Sequence, residues 1–256
     1  MDRVAVVPAT VPSMSGSEDF RPVGEVLAAL DAVFAQVERP ERIDACPCCL
    51  RPDKIEVLLN KPRTDLSADD LRQYVTVAMM GAGSAEDLRY FTPRILELCL
   101  TGEMDWPDIE WVYQRLRDAG WRAWPEAGAI AELMGALWAE VLSDYPDSYD
   151  PNELLWTFGN AGESVAANLQ SWSRLRTPAA VHSLRDFVVD DVVSQDGRRV
   201  PNGLWHTDTA AHREVVQWLD GGEARLAVER AIAQETHQEL LHMLNQCRDS
   251  LAPQPD

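Results

Sequence analysis

The chain has 256 residues, of which 42 are acidic and 23 basic, giving a formal net charge of −19 at pH 7 and a pI near 4.6. That surplus of acid excludes a surface built to coat nucleic acid or anionic lipid, since both need clustered lysine and arginine. With 46% hydrophobic and 25% charged residues the composition is that of a globular protein, and no apolar run approaches the roughly 18 residues of a membrane span.

Residues 1–20 hold a short apolar stretch, Val4-Ala-Val-Val7, without the basic start and long apolar middle of a secretion signal. They read as a flexible N-terminal arm. Pro22 then opens a helix with Val26, Leu27, Leu30, Val33, Phe34 and Val37 on one stripe, stopping before Glu38-Arg-Pro40. Ser67 reads as the N-cap of a helix carrying Asp69, Asp70, Leu71, Tyr74, Val75 and Ala78, broken by Gly81-Ala-Gly83. Ser84 caps a short helix with Glu86 and Asp87, and Thr92-Pro93 predicts a second start, running to Leu100. Trp106–Ala119 follows, ended by Gly120.

The clearest helix lies beyond Pro125, where Ile130, Leu133, Met134, Leu137, Trp138, Val141 and Leu142 form a continuous apolar stripe. Pro151 opens the next, over Asn152–Phe158, and Gly162 precedes another over Glu163–Ser173. Thr177-Pro178 repeats the cap-plus-proline device ahead of Val181, Leu184, Phe187 and Val188. The run Phe187–Val193 could form a strand, but its upstream periodicity favours a helix ending near Ser194–Gly197. Asp208 is expected to cap a helix through Leu219, and Gly221-Gly222 to separate it from one long helix reaching Ser250. The expectation is an all-α fold of roughly ten helices stacked as antiparallel pairs, in a compact bundle or an irregular solenoid. A single domain spans 21–250, with a disordered tail over 251–256.

Five cysteines are present, three of them in Cys46-Pro-Cys48-Cys49. An odd number so distributed is not a disulfide framework, and it places the chain in a reducing, cytoplasmic setting. Three thiols in four residues supply part of a zinc site, but no second Cys/His pair stands at ligand spacing. The favoured reading is reduced cysteines packing a loop, entering a short helix, against the core. No cofactor is expected, with zinc at Cys46, Cys48 and Cys49 as the alternative. Cys99 and Cys247 read as small core hydrophobes.

Cys46-Pro-Cys-Cys49, Leu66–Leu71 with Tyr74, and Asp87-Leu-Arg-Tyr-Phe-Thr-Pro-Arg-Ile-Leu-Glu-Leu98 together resemble a set of uncharacterised bacterial helical proteins. The resemblance covers mainly residues 40–142, with a weaker echo around His212–Leu219. It implies a shared helical fold and a bacterial origin, and it carries no activity or catalytic residue.

Catalytic signals are sparse. Trp205-His-Thr-Asp-Thr-Ala-Ala-His212 holds two imidazoles and a carboxylate, yet at no recognised ligand spacing. There is no nucleophile elbow, phosphate loop, dinucleotide fingerprint or His-Glu-x-x-His. Acid, by contrast, is concentrated. Between Ala123 and Ser173 stand eight acidic residues and no lysine or arginine. Asp144, Asp147, Asp150 and Glu153 are interleaved with Tyr145, Tyr149 and Trp156, and Glu103, Asp105 and Asp108 surround Trp106. Apart from a merely solubilising surface, this pattern suits a docking face: acids steer a basic protein and aromatic rings anchor it. The leading expectation is a non-catalytic acidic binding protein for a basic partner, in the manner of an immunity protein or antitoxin neutralising a toxin domain. The alternative is a helical metalloprotein or enzyme using Cys46–Cys49 or His206–His212.

Overall fold

Apolar stripes at helical spacing need a common surface to cover, and helix α6 (Ala127–Ser143) supplies the centre of it. Its Ile130, Leu133, Leu137, Trp138 and Val141 are buried. The computed structural model describes residues 21–146 and 149–253, so the expected arm at 1–20 lies outside the described residues. The remaining helices are α1 (Val23–Val33), α2 (Pro52–Asn60), α3 (Ala68–Val77), α4 (Ala85–Leu100), α5 (Ile109–Asp118), α7 (Pro151–Asn160), α8 (Ala166–Trp172), α9 (Pro178–Asp186), α10 (Ala210–Asp220), α11 (Glu223–Ile232) and α12 (Gln238–Ser250). One antiparallel ribbon, β1 (Val192–Gln195) with β2 (Arg198–Pro201), is the only sheet among the described residues.

The fold is all-α, as the periodicity predicts. Helix α6 packs on α1, α7 and α9, α1 also packs on α4, and α9 packs on α12. Apart from α6 with α7, these pairs are distant in sequence, which distinguishes a bundle from a solenoid, where each unit touches only its neighbours. One continuous core runs from Val23 to Leu251, so Leu251, expected in a tail, is buried against the bundle. At its centre Trp172 lies edge-on to Trp138 at 5.3 Å and stacks on Trp218 at 5.9 Å. All three indole N–H groups are satisfied, by Ser171 Oγ, the Ala180 carbonyl and Ser173 Oγ.

Side-chain caps open six of the twelve α-helices among the described residues. Ser67 and Ser84 each form a full capping box, with Asp70 and Asp87 returning the bond. Asp70 sits at a balance point. Burial would raise its carboxyl, but bonds from Lys61 and Ser67 hold it down at about 2.

Several expected boundaries are corrected. Residues 85–100 form one helix rather than two. Pro93 removes one donor from its interior, and Thr92 Oγ1, instead of capping a new helix, donates to the Leu88 carbonyl at 2.8 Å. Helix α5 begins at Ile109 rather than Trp106, because Asp108 accepts from the Trp111 amide at 2.9 Å. Helix α8 starts at Ala166 rather than Glu163. The helix after Thr177 ends at Asp186 in a π-type turn, and residues 192–201 form the ribbon instead. Thr209, not Asp208, caps α10, accepting from the His212 amide. The expected long C-terminal helix is two helices. Helix α11 ends at Ile232 and α12 starts at Gln238; in the link between them Glu235 accepts from the Thr236 and His237 amides at 2.7 and 2.8 Å.

Candidate functional site

Helices α5 and α7 lie side by side, and each starts with an aspartate cap. Asp108 caps α5, and Asp150 caps α7 by accepting from the Glu153 amide at 2.8 Å. Carboxylates belong at these positions because they complement the exposed amides and the positive end of the helix dipole. The side-by-side arrangement also brings the two acidic groups of the sequence into one field. The Glu153 carboxyl is pushed up by partial burial and then by Asp150, Asp108 and Glu110. Asp191, which follows the π-type turn, is raised to about 6 by burial and then by Asp150, Asp190 and Asp186. The stretch 150–153 thus shares repulsion with 108–110 on one side and with 186–191 on the other. Arg185 partly offsets the last of these, pairing with Asp186 at 3.0 Å and Asp190 at 2.5 Å.

The other expected docking residues divide into exposed and engaged. Glu103 and Asp144 are exposed. Asp105 pairs with Arg72 at 2.8 Å, which lowers its carboxyl pKa, and Arg72 also donates to the Trp106 carbonyl at 2.6 Å. Trp106 is 49% exposed and leans on Trp111. Tyr145 is 40% exposed, stacked on His182 at 4.6 Å, and donates to Asp186 at 2.9 Å. Tyr149 is half-buried and donates to the Leu100 carbonyl at 3.5 Å. Trp156 is half-buried and packs so tightly on Gly203 that a Cβ there would meet the ring at 2.1 Å. Its place is against the chain's own backbone. Asp147 lies outside the described residues.

The cysteines divide more sharply. Cys99 and Cys247 are largely enclosed, and burial pushes each thiol up to about 12, as expected of core cysteines. Cys46 and Cys48 are exposed and joined as a disulfide, and only Cys49 packs inward. The expected reduced loop packed on the core is corrected accordingly: the turn aims two of its three sulfurs at solvent. All three sulfurs lie within 4.8 Å of one another, the only such group of three or more His, Cys, Asp or Glu ligand atoms among the described residues.

The His206–His212 segment does not assemble a comparable site. His206 is exposed, whereas His212 sets its ring against Trp205 at 5.8 Å. Burial, then Arg198 and Arg213, lower the His212 pKa. What this segment joins is a buried polar network invisible in the sequence. Asn152 and Asn160, eight apart on one face of α7, hold the stretch 202–206. Asn152 donates to the Asn202 carbonyl at 2.9 Å and accepts from Trp205 Nε1 at 3.0 Å. Asn160 donates to the Leu204 carbonyl at 2.8 Å and to Glu110 at 2.9 Å, and it accepts from the His206 amide at 2.9 Å. Gln114 donates a further bond to Glu110.

Comparisons with family models, with curated proteins and with solved structures found no match for this chain.

Proposed function

We propose that the chain is a non-catalytic acidic binding protein whose partner is a basic protein. The supporting observation is that Glu153 and Asp191, each raised first by burial, are raised further by neighbouring acids: Asp108 and Glu110 act on Glu153, Asp186 and Asp190 act on Asp191, and Asp150 acts on both. Like charges held together at partial burial cost folding free energy, and a cationic surface arriving there would relieve that cost. Exposed Tyr145 lies beside Asp186 on this surface and offers apolar contact area. A basic domain that handles phosphate-bearing substrates fits such a face, and covering its cleft would silence it in the way an immunity protein or antitoxin acts. Such a role needs no reacting groups.

The test begins with a partner captured from the source cells, followed by association rates at two salt concentrations. Exposed charges are screened beyond a Debye length of about 8 Å at physiological ionic strength, so association should slow as salt rises. Reversing Asp144, Glu153 and Asp191 to lysine should slow it further and leave dissociation nearly unchanged. None of these three side chains caps a helix N-terminus, so the variants should keep the helical circular dichroism. Rates indifferent to both salt and reversal would remove this reading.

A further inference from the structure

We infer that the reduced Cys46–Cys49 loop is a three-thiolate site for a zinc(II) ion, with the fourth coordination position left to an exogenous ligand. This inference is independent of the acidic face and rests on how the loop is built. Sulfur ligands select soft or borderline cations and exclude magnesium and calcium. With zinc–sulfur bonds of about 2.3 Å, neighbouring sulfurs in a tetrahedron stand roughly 3.8 Å apart. Cys48 Sγ and Cys49 Sγ are 3.9 Å apart, and the third sulfur lies within the same 4.8 Å group. The Cα atoms of Cys46 and Cys48 are 5.3 Å apart, a spacing that serves either a disulfide or two ligands of one ion.

The loop is held in shape before any ion arrives. The Cys49 and Leu50 amides both donate to the Cys46 carbonyl, at 2.8 and 3.1 Å, closing the turn that gathers the sulfurs. A second turn, residues 78–83, buttresses it. The Cys46 amide donates to the Gly81 carbonyl at 3.1 Å, and the Gly83 amide donates to the Asp44 carbonyl at 2.8 Å. Gln73 donates to the Cys49 carbonyl at 3.0 Å. Ile43 and Leu50, on either side of the cluster, are buried anchors. Gly81 is needed for close approach, because a Cβ there would meet Cys49 Sγ at 2.9 Å. The same turn holds Met79 at φ 63°, a left-handed conformation costly for a residue with a side chain. Two strained or glycine-dependent positions support a loop that buries little itself. A solvent-facing thiol cluster so supported is organised for a ligand rather than for packing.

The chemistry balances simply. A dithiol reductant opens the Cys46–Cys48 disulfide, delivering two electrons and two protons and becoming a disulfide itself. Zinc then replaces one proton on each of the three thiols and leaves a complex of net charge −1. Arg42 and Arg51 flank the cluster in sequence and would moderate that charge, although they already pair with Asp44 and Asp53 at 3.2 and 2.9 Å.

The experiment uses the full chain, reduced with a phosphine under anaerobic conditions, loaded with zinc and desalted. One zinc per chain should be retained, and loading should protect three thiols from alkylation by mass spectrometry. Cadmium substituted for zinc should show the charge-transfer absorption of three metal–thiolate bonds. Cys48→Ser and Cys49→Ser should each lower affinity at least tenfold, and Cys99→Ser should not. Cys48 is exposed, so its serine variant keeps the fold, with circular dichroism as the control. Gly81→Ala, which displaces Cys49 without removing a sulfur, should also weaken binding. No zinc on the reduced protein, or equal zinc on the Cys46/Cys48/Cys49 triple serine variant, would overturn the site. So would protection of only two thiols.

Discussion

Asn160 and Glu110, 50 residues apart in sequence, meet in the buried seam between α5 and α7 through an amide-to-carboxylate hydrogen bond of 2.9 Å. Asn160 also donates to the Leu204 carbonyl and accepts from the His206 amide, bonds that sew the 202–206 stretch onto α7. Replacing Asn160 with leucine keeps the volume and strips the Leu204 carbonyl and His206 amide of their partners, leaving Glu110 with only Gln114. Unpaired buried polar groups cost about 1–3 kcal/mol each, so Asn160→Leu should destabilise the protein by roughly 3 kcal/mol. A urea melt reads this as a lower midpoint, and hydrogen exchange at His206 should accelerate. An unshifted midpoint would mean that water replaces the network at no cost.

Asp191 should make stability depend on pH in the direction opposite to a salt-bridged acid. Its native carboxyl titrates at about 6, against 3.8 unfolded. Between these values the native state binds more protons than the unfolded one, so stability falls as pH rises through that window. Asp191→Asn removes the repulsion. The variant should be more stable than the parent at pH 7, with the gain shrinking as pH drops and gone below about pH 4. Thermal melts at pH 4, 5, 6 and 7 measure it, and a constant difference across the series would assign the gain to another cause.

Gly203 should tolerate no side chain. It stands at φ 115°, where L-residues are strained, and Trp156 occupies the space a Cβ would need. Gly203→Ala should cost at least about 1 kcal/mol in backbone strain alone, and it should shift Trp156 fluorescence as the ring moves. Trp156→Leu should relieve much of the steric part. If the double variant is no more stable than Gly203→Ala, strain at the backbone dominates.

The parts of the fold legible in the sequence are those encoded locally. Ser67 with Asp70, Thr177 with Pro178, and the α6 stripe each act within a turn or two, so spacing alone reveals them. Thr92-Pro93 misleads because threonine before proline serves two purposes, and tertiary burial of both residues favours continuing the helix. The ribbon carried a usable signal that helical periodicity overshadowed. Asp196-Gly197, both at positive φ, is the two-residue turn that hairpins prefer. The Asn152–Asn160 network could not be read, since its partners lie about 50 residues away and asparagine on a helix normally signals exposure. The site is similarly divided. Acid-rich and cysteine-rich stretches are visible as composition, but Asp191 joining the acidic field and Cys46 facing solvent follow only from packing.

The stacked tryptophans at the core have a spectroscopic meaning. Nine indoles are present, yet Trp172 stands within 6 Å of both Trp138 and Trp218, at angles of 85° and 12°. Indole transitions at that separation couple, so these rings should contribute strongly to the near-ultraviolet circular dichroism. Helices α6, α8 and α10 each contribute one ring. Loss of that optical signal therefore marks the separation of three helices at once, whereas solvent-facing Trp106 reports only on its own loop. The protein carries a built-in optical gauge of its central packing, readable without any added label.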